Sequence, residues 1–222
     1  MSRSASSSER KSYDGKTLRI LILIGLLLFG LFYLPEFLGG RVRTIVASPV
    51  LGSVHAIGLA MYSYAQDYNG ALPVGKSSTE MFQKLIDEGY VTDPTLFFVK
   101  ELHVPGKLKA ASNVLKPENV CWDVTVPVDV NSPDSVPLIF STGYRINYAP
   151  GGVAVPLFSS SYNIFSSTNR PSGMAVYYHG NKAAWLDRDG QPDREVTNFV
   201  PTDFDPKGKT YIQLTPDGPL SP

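Results

Sequence analysis

Residues 49–70 read PVLGSVHAIGLAMYSYAQDYNG, and their pattern is the main indication of the fold. Apolar and aromatic side chains recur in it at alternating steps of four and three residues, which places them on one stripe of an α-helix. Asn69-Gly70 can take the left-handed conformation that ends a helix, and Pro73 cannot continue one. We therefore expect an amphipathic helix whose stripe needs a partner surface. The stripe consists of Val50, Val54, Ile57, Met61, Tyr64 and Tyr68.

Upstream of this helix, residues 20–34 form a run of fifteen without a charged side chain. With its apolar neighbours the run covers residues 18–38, close to the roughly 20 residues that a helix needs to cross a bilayer. Arg19 and Glu36 lie near its two ends, where each side chain can reach a headgroup region. We expect a transmembrane anchor over residues 18–38. Its membrane-facing residues are Ile20, Leu21, Ile22, Leu23, Ile24, Leu26, Leu27, Leu28, Phe29, Leu31, Phe32, Tyr33 and Leu34.

The charges beside the anchor predict its orientation in the membrane. The first nineteen residues carry five basic and two acidic side chains, and only Arg41 and Arg43 follow the run closely. This excess of cations favours an amino terminus in the cytoplasm. We expect a disordered cytoplasmic tail over residues 1–17, a single-pass anchor in the cytoplasmic (inner) membrane, and an exported domain over residues 41–222. A cleaved secretory signal is the alternative, with Val46-Ala47-Ser48 as the nearest small-residue cleavage candidate.

Downstream of the helix, the sequence predicts a second helix and several strands. Ser77 and Glu80 have the spacing of a capping box, and Gly89 closes the short helix that they begin. Alternation of apolar and polar residues predicts a half-buried strand over residues 120–126, and Gly180-Asn181 marks the turn of a hairpin. The other predicted strands cover residues 95–99, 136–142, 143–148, 174–178 and 182–186, and the tail after residue 201 is expected to be a surface strand and a loose end.

This order of elements predicts an α+β fold. A long N-terminal helix, transmembrane in its first part and amphipathic in its second, packs on an antiparallel β-sheet. Pro35 and Pro49 can be accommodated as kinks, so the anchor and the amphipathic stretch can form one bent helix. The single cysteine, Cys121, has no partner for an internal disulfide and is expected to be a small buried apolar residue. The stability of the exported domain must then come from packing.

The chain resembles type IV prepilins and type II secretion pseudopilins. The resemblance rests on the basic tail, Gly15 followed by Lys16-Thr17-Leu18, the apolar anchor, the helix end at residues 58–73 and the hairpin at residues 173–186. It implies a pilin-like fold, processing between Gly15 and Lys16, and partners that are further copies of this chain or other subunits of a bacterial secretion or pilus system. Ile20 stands where the family usually has a glutamate that pairs with a neighbouring subunit. A pilin-like anchor that never polymerises is the open alternative.

Motifs of the common catalytic sites are absent from the sequence. It has no Gly-x-Ser-x-Gly elbow, no His-Glu-x-x-His, no Cys-x-x-Cys and no phosphate-binding glycine loop. The three histidines, His55, His103 and His179, lack the spacing of metal ligands. Twenty basic residues balance twenty acidic ones, so no nucleic-acid interface is expected. We expect a non-catalytic protein without a tightly bound cofactor, acting by assembly or display.

One stretch offers ligands for a metal ion. In residues 187–193, Asp187, Asp189 and Asp193 surround a glycine turn and carry the oxygen ligands that calcium prefers. The spacing differs from that of an EF-hand, and a polar turn without a metal explains the same residues. A membrane-tethered extracytoplasmic binding module, for calcium or an envelope glycan, is therefore the alternative function.

Overall fold

The computed structural model describes residues 23–24, 49–157, 173–187, 195–197 and 199–220. The chain divides into two compact units, Met1–Val42 and Arg43–Pro222. In the first unit, Leu23 and Ile24 are helical and their side chains are exposed. Within the described part of the chain, no helix has both the length and the apolar character needed to span a membrane.

The second unit is a mixed α+β fold with an antiparallel sheet, as the sequence predicts. The described strands are β1 (Trp122–Val126), β2 (Pro137–Ser141), β3 (Tyr144–Ile146), β4 (Ala154–Pro156), β5 (Gly173–Tyr178), β6 (Lys182–Asp187), β7 (Ile212–Thr215) and β8 (Gly218–Pro219). Six of them form one sheet in the order β6-β5-β2-β1-β7-β8, and β3 pairs with β4 in a separate two-stranded sheet. The predicted hairpin is the pair β5 and β6.

In the described part of the second unit, two α-helices precede the strands. We label the described helical residues 49–67 as α1, and α2 covers Ser78–Asp87. Helix α1 ends where the sequence predicts, because Gly70 follows it with a φ of +84°. Helix α2 begins at its predicted cap, where the Ser77 hydroxyl accepts a hydrogen bond from the backbone N–H of Glu80 at 3.2 Å. Local signals in the sequence were therefore sufficient to place both helices.

The strand predicted over residues 95–99 is wrong. The segment between α2 and β1 contains 3₁₀ helices instead, and the first of them covers Pro94–Phe97. The carboxylate of Asp93 accepts a hydrogen bond from the Thr95 N–H at 2.9 Å and caps this turn. Pro94 has its φ fixed at a value that suits the first helical position. This local cap prevails over the β-branched and aromatic residues that favoured a strand. The other two 3₁₀ helices are Lys100–Leu102 and Pro117–Asn119.

The main sheet is covered on both faces. Helices α1 and α2 pack on one face, and the β3–β4 pair together with residues around 196–211 packs on the other. The prediction of a half-buried β1 is therefore wrong, because Asp123 and Thr125 are only 1% and 0% exposed. Five buried residues of the predicted helical stripe, from Val50 to Tyr64, lie in the core on the first face, and Tyr68, beyond the end of α1, is 39% exposed.

The segment after residue 201 belongs to the core, contrary to the expectation of a surface strand and a loose end. Strand β7 lies between β1 and β8, and Leu214 pairs with Val124 of β1. Phe204 and Tyr211 are buried in the core on the face of the main sheet that the β3–β4 pair covers. The local signal was weak because β7 has only four residues and follows a stretch rich in proline and charge.

Candidate functional site

The candidate site is the contact between α1 and the β5–β6 hairpin. Gly58 of α1 faces Tyr177 of β5 so closely that a Cβ atom at Gly58 would lie 2.3 Å from the tyrosine ring. Tyr177 is fully buried. The glycine therefore lets the backbone of the helix approach the sheet at a distance that no other residue allows without displacement of the ring. Its place inside the helix, where glycine is unfavourable, is a sequence signal for a close approach, but the signal is not specific, because Gly52 in the same helix meets no neighbour.

Two tyrosine hydroxyls connect the helix and strand β5 to the turn of the hairpin. The hydroxyl of Tyr62 in α1 donates a hydrogen bond to the backbone carbonyl of His179. The hydroxyl of Tyr177 donates to the side-chain oxygen of Asn181 at 2.7 Å. Asn181 has a φ of +57°, a left-handed conformation that asparagine tolerates better than most residues. The turn is thus fixed to the helix by a direct bond.

The same turn is held from its other side by the residues that precede β2. Backbone N–H groups of His179 and Gly180 donate to the carbonyls of Val136 and Asp134, each at 2.8 Å. The His179 side chain is 9% exposed, and its Nδ1 lies 4.0 Å from an oxygen of Asp134. Burial lowers the pKa of His179, and the Asp134 carboxylate opposes this effect only in part. Burial thus disfavours the charged form of this packed ring.

The three histidines, whose spacing in the sequence predicts no shared site, lie in two separate places. His55 packs on the edge of Tyr177, with ring centroids 5.8 Å apart, so His55 and His179 both lie beside the tyrosine pair of the site. His103 lies elsewhere, and its Nδ1 is 2.8 Å from the carbonyl oxygen of Glu101. Among the described residues, no group of three or more histidine, cysteine or acidic side chains is placed to hold a metal ion.

The side of α1 that faces away from the sheet is exposed. A Cβ atom at Gly52 would meet nothing within 4 Å, and the Leu59 side chain is 44% exposed. Ser63 and Gln66 continue this side toward the end of the helix and are also exposed. Between residues 52 and 66, this outward side of α1 carries no Lys, Arg, Asp or Glu side chain.

An aromatic cluster that the sequence did not predict joins the ends of α1 and α2. The rings of Tyr64 and Tyr68 stack with centroids 4.1 Å apart, and Tyr90 meets Tyr64 edge-on at 5.4 Å. The Tyr90 hydroxyl donates to Asp67 at 2.6 Å, and the Tyr68 hydroxyl donates to Glu88 at 3.0 Å. The bond to Asp67 raises the pKa of Tyr90 to about 12. These contacts hold the end of α1 in place.

Most of the residues that the sequence proposes for function lie outside the described part of the chain. These are Gly15 and Lys16 of the processing site, and all residues of the anchor except Leu23 and Ile24. Of the three predicted calcium ligands, Asp187 is the last residue of β6, whereas Asp189 and Asp193 lie outside the described residues.

Comparisons of the chain with protein-family models, with curated proteins and with solved structures gave no match.

Proposed function

We propose that this protein is a non-catalytic, membrane-anchored subunit of a type II secretion or type IV pilus-like system, similar to a pseudopilin. The observation that carries the proposal is the packing of α1 on an antiparallel sheet, through the contact of Gly58 with Tyr177 and the hydrogen bond from Tyr62. In the sequence, this helix follows the uncharged run of residues 20–34 after a short interval. A single chain thus supplies a lipid-soluble segment, a helix beyond it, and a sheet that holds the helix.

In this proposal the two sides of α1 have different tasks. The inner side, with Ile57, Gly58 and Met61, is buried against the sheet and fixes the helix. The outer side around Gly52 and Leu59 is exposed, and the glycine leaves room there for close packing against a second helix. The partners are further copies of this chain or other subunits of the same machine. Lipid is the partner of the anchor.

Cysteine crosslinking in membranes tests this assignment. Leu59→Cys places a thiol on the outer side of α1, while the native Cys121 is 0% exposed and does not compete for crosslinking. We expect disulfide-linked dimers of the full-length Leu59→Cys protein after mild oxidation, since each chain offers one reactive thiol. Val114→Cys is the matched control, because Val114 is 67% exposed and lies far from α1 in the chain.

The crosslinking outcome also separates the proposal from its alternative. Disulfide-linked dimers from Leu59→Cys but not from Val114→Cys support lateral contact through α1. Monomers from both variants contradict the subunit role and favour a membrane-tethered extracytoplasmic binding module. Ile20 is the observation that favours this alternative, because a glutamate at that position pairs with a neighbouring subunit in the family that the chain resembles.

A further inference from the structure

A carboxyl group lies in the middle of the main sheet. Asp123 in β1 is 1% exposed, on the face opposite α1. Its Oδ2 accepts a hydrogen bond of 2.6 Å from the side-chain amide of Gln213 in β7. The Thr142 side chain lies near the carboxyl and stabilises its charged form in part, but Oδ1 has no well-formed hydrogen bond with any residue in the described part of the chain. Such a site is unfavourable for a charge, because burial removes the water that would solvate it.

The orientation of the Gln213 amide is fixed by its other bonds. The same Nε2 donates to the Tyr144 carbonyl at 2.7 Å, and Oε1 accepts from the Ile146 N–H at 3.2 Å. Gln213 therefore connects β7 with β3, the strand that helps to cover this face of the sheet. Because the amide can only donate to Asp123, Oδ2 is an acceptor in either protonation state, and a proton on the carboxyl belongs on Oδ1.

The charged and titratable groups around Asp123 do not compensate a negative charge. The Lys107 ammonium favours the charge only weakly, because it donates to the Pro117 carbonyl at 2.8 Å and is itself half-buried. Asp217, in the β7–β8 turn, repels the charge, and Tyr148 is half-buried on the same side with its hydroxyl 2.8 Å from that of Thr125.

Burial thus has the largest effect on this carboxyl. It raises the pKa of Asp123 to about 7, against the smaller opposing effects of Thr142, Gln213 and Lys107. In the unfolded chain the pKa is near the ordinary value for aspartate, about 3.9. The folded state therefore binds the proton more tightly, and the stability that this proton contributes is lost as the pH rises through the folded value.

We propose that Asp123 is a proton-dependent lock of the sheet domain. The protonated carboxyl fits beneath the β3–β4 layer, whereas the ionised form leaves an unpaired charge there and loosens the domain. The domain is then more stable at mildly acidic pH than at mildly alkaline pH. This inference is independent of the proposed subunit role and of the anchor.

Urea unfolding of the full-length protein in detergent micelles tests the lock, with the fluorescence of the buried Trp122 as the signal. Between pH 5 and pH 8, the ratio of the unfolding constant of the wild type to that of Asp123→Asn should rise roughly a hundredfold. Because the two proteins share all other titratable groups, the contributions of those groups to the pH dependence cancel in the ratio. One of these groups is His179, whose lowered pKa makes the domain more stable as the pH rises. Asp203→Asn, at an exposed position, is the matched control and should keep the wild-type dependence on pH.

A ratio that stays constant over this pH range overturns the proposal. Should Asp123→Asn fail to fold, infrared spectroscopy of the wild type gives an independent answer. We expect the C=O absorption of a protonated carboxylic acid at pH 6 and its loss by pH 8. No such absorption at pH 6 would equally overturn the lock.

Discussion

Gly58 sets the distance between α1 and the sheet. A methyl group at this position would lie 2.3 Å from the ring of Tyr177, which is fully buried and hydrogen-bonded to Asn181. The ring has little freedom to move away, since its hydroxyl and its neighbours are both fixed. The loss in the free energy of unfolding that a side chain at Gly58 causes therefore measures how closely α1 packs against the sheet.

Gly58→Ala should lower the free energy of unfolding by about 1–3 kcal/mol, the usual cost of overpacking a core. Gly52→Ala is the matched control on the same helix, because its methyl group would meet nothing within 4 Å. That variant should gain about 0.5–1 kcal/mol from the better helix propensity of alanine. Urea unfolding of both full-length variants provides the measurement. A stabilised Gly58→Ala protein would show that α1 does not sit against Tyr177.

The sequence predicts single residues well only where their role is local. Ser77 was recognised as a cap because its bond to the Glu80 N–H spans three positions. The burial of Asp123, in contrast, cannot be predicted from neighbouring residues in the sequence. Its partner Gln213 is 90 residues away in the chain, and the layer that buries it comes from other segments.

The docking of α1 is the central interaction between elements. Ile57 is 0% exposed in the core beneath the helix, whereas Leu59, two positions away, is 44% exposed. The two residues are similar in size and differ mainly in the side of the helix on which they lie. They therefore offer a direct comparison of the two sides.

Ile57→Ala should cost about 2–5 kcal/mol of stability, because it leaves a cavity between the helix and the sheet. Leu59→Ala should change stability by less than about 0.5 kcal/mol. Thermal or urea unfolding of the full-length variants measures both values. Equal losses in the two variants would contradict a helix that is docked on one side only.

Most elements with a clear local pattern are predicted correctly, among them the strands that contain β1 and β2, whereas the place of β7 in the core depends on distant pairing and is not predicted. The stripe of α1 and the β5–β6 hairpin carry their own periodicity and turn residues. The strand predicted at residues 95–99 is wrong because the cap formed by Asp93 favours a 3₁₀ turn. The sequence predicts only a surface strand after residue 201, because the place of β7 beside β1 depends on a pairing of residues 124–126 with residues 212–214.

For the whole molecule, the α+β class with an antiparallel sheet followed from the order of helices and strands. The second layer, formed by β3, β4 and residues around 196–211, did not follow, since short segments with few apolar residues give no clear pattern. The site on α1 was predicted as far as its stripe, but its contact with Tyr177 and the turn at His179 required the three-dimensional fold. The anchor and the processing site remain predictions from the sequence.

Whether the uncharged run of residues 20–34 holds the protein in a bilayer is decided by alkaline carbonate extraction of membranes that contain the full-length chain. A helix that crosses the hydrocarbon core resists this treatment, whereas a protein held by charge or by a partner is released. We predict that the chain sediments with the membrane pellet at high pH. Its recovery in the soluble fraction would contradict the proposed membrane-anchored subunit.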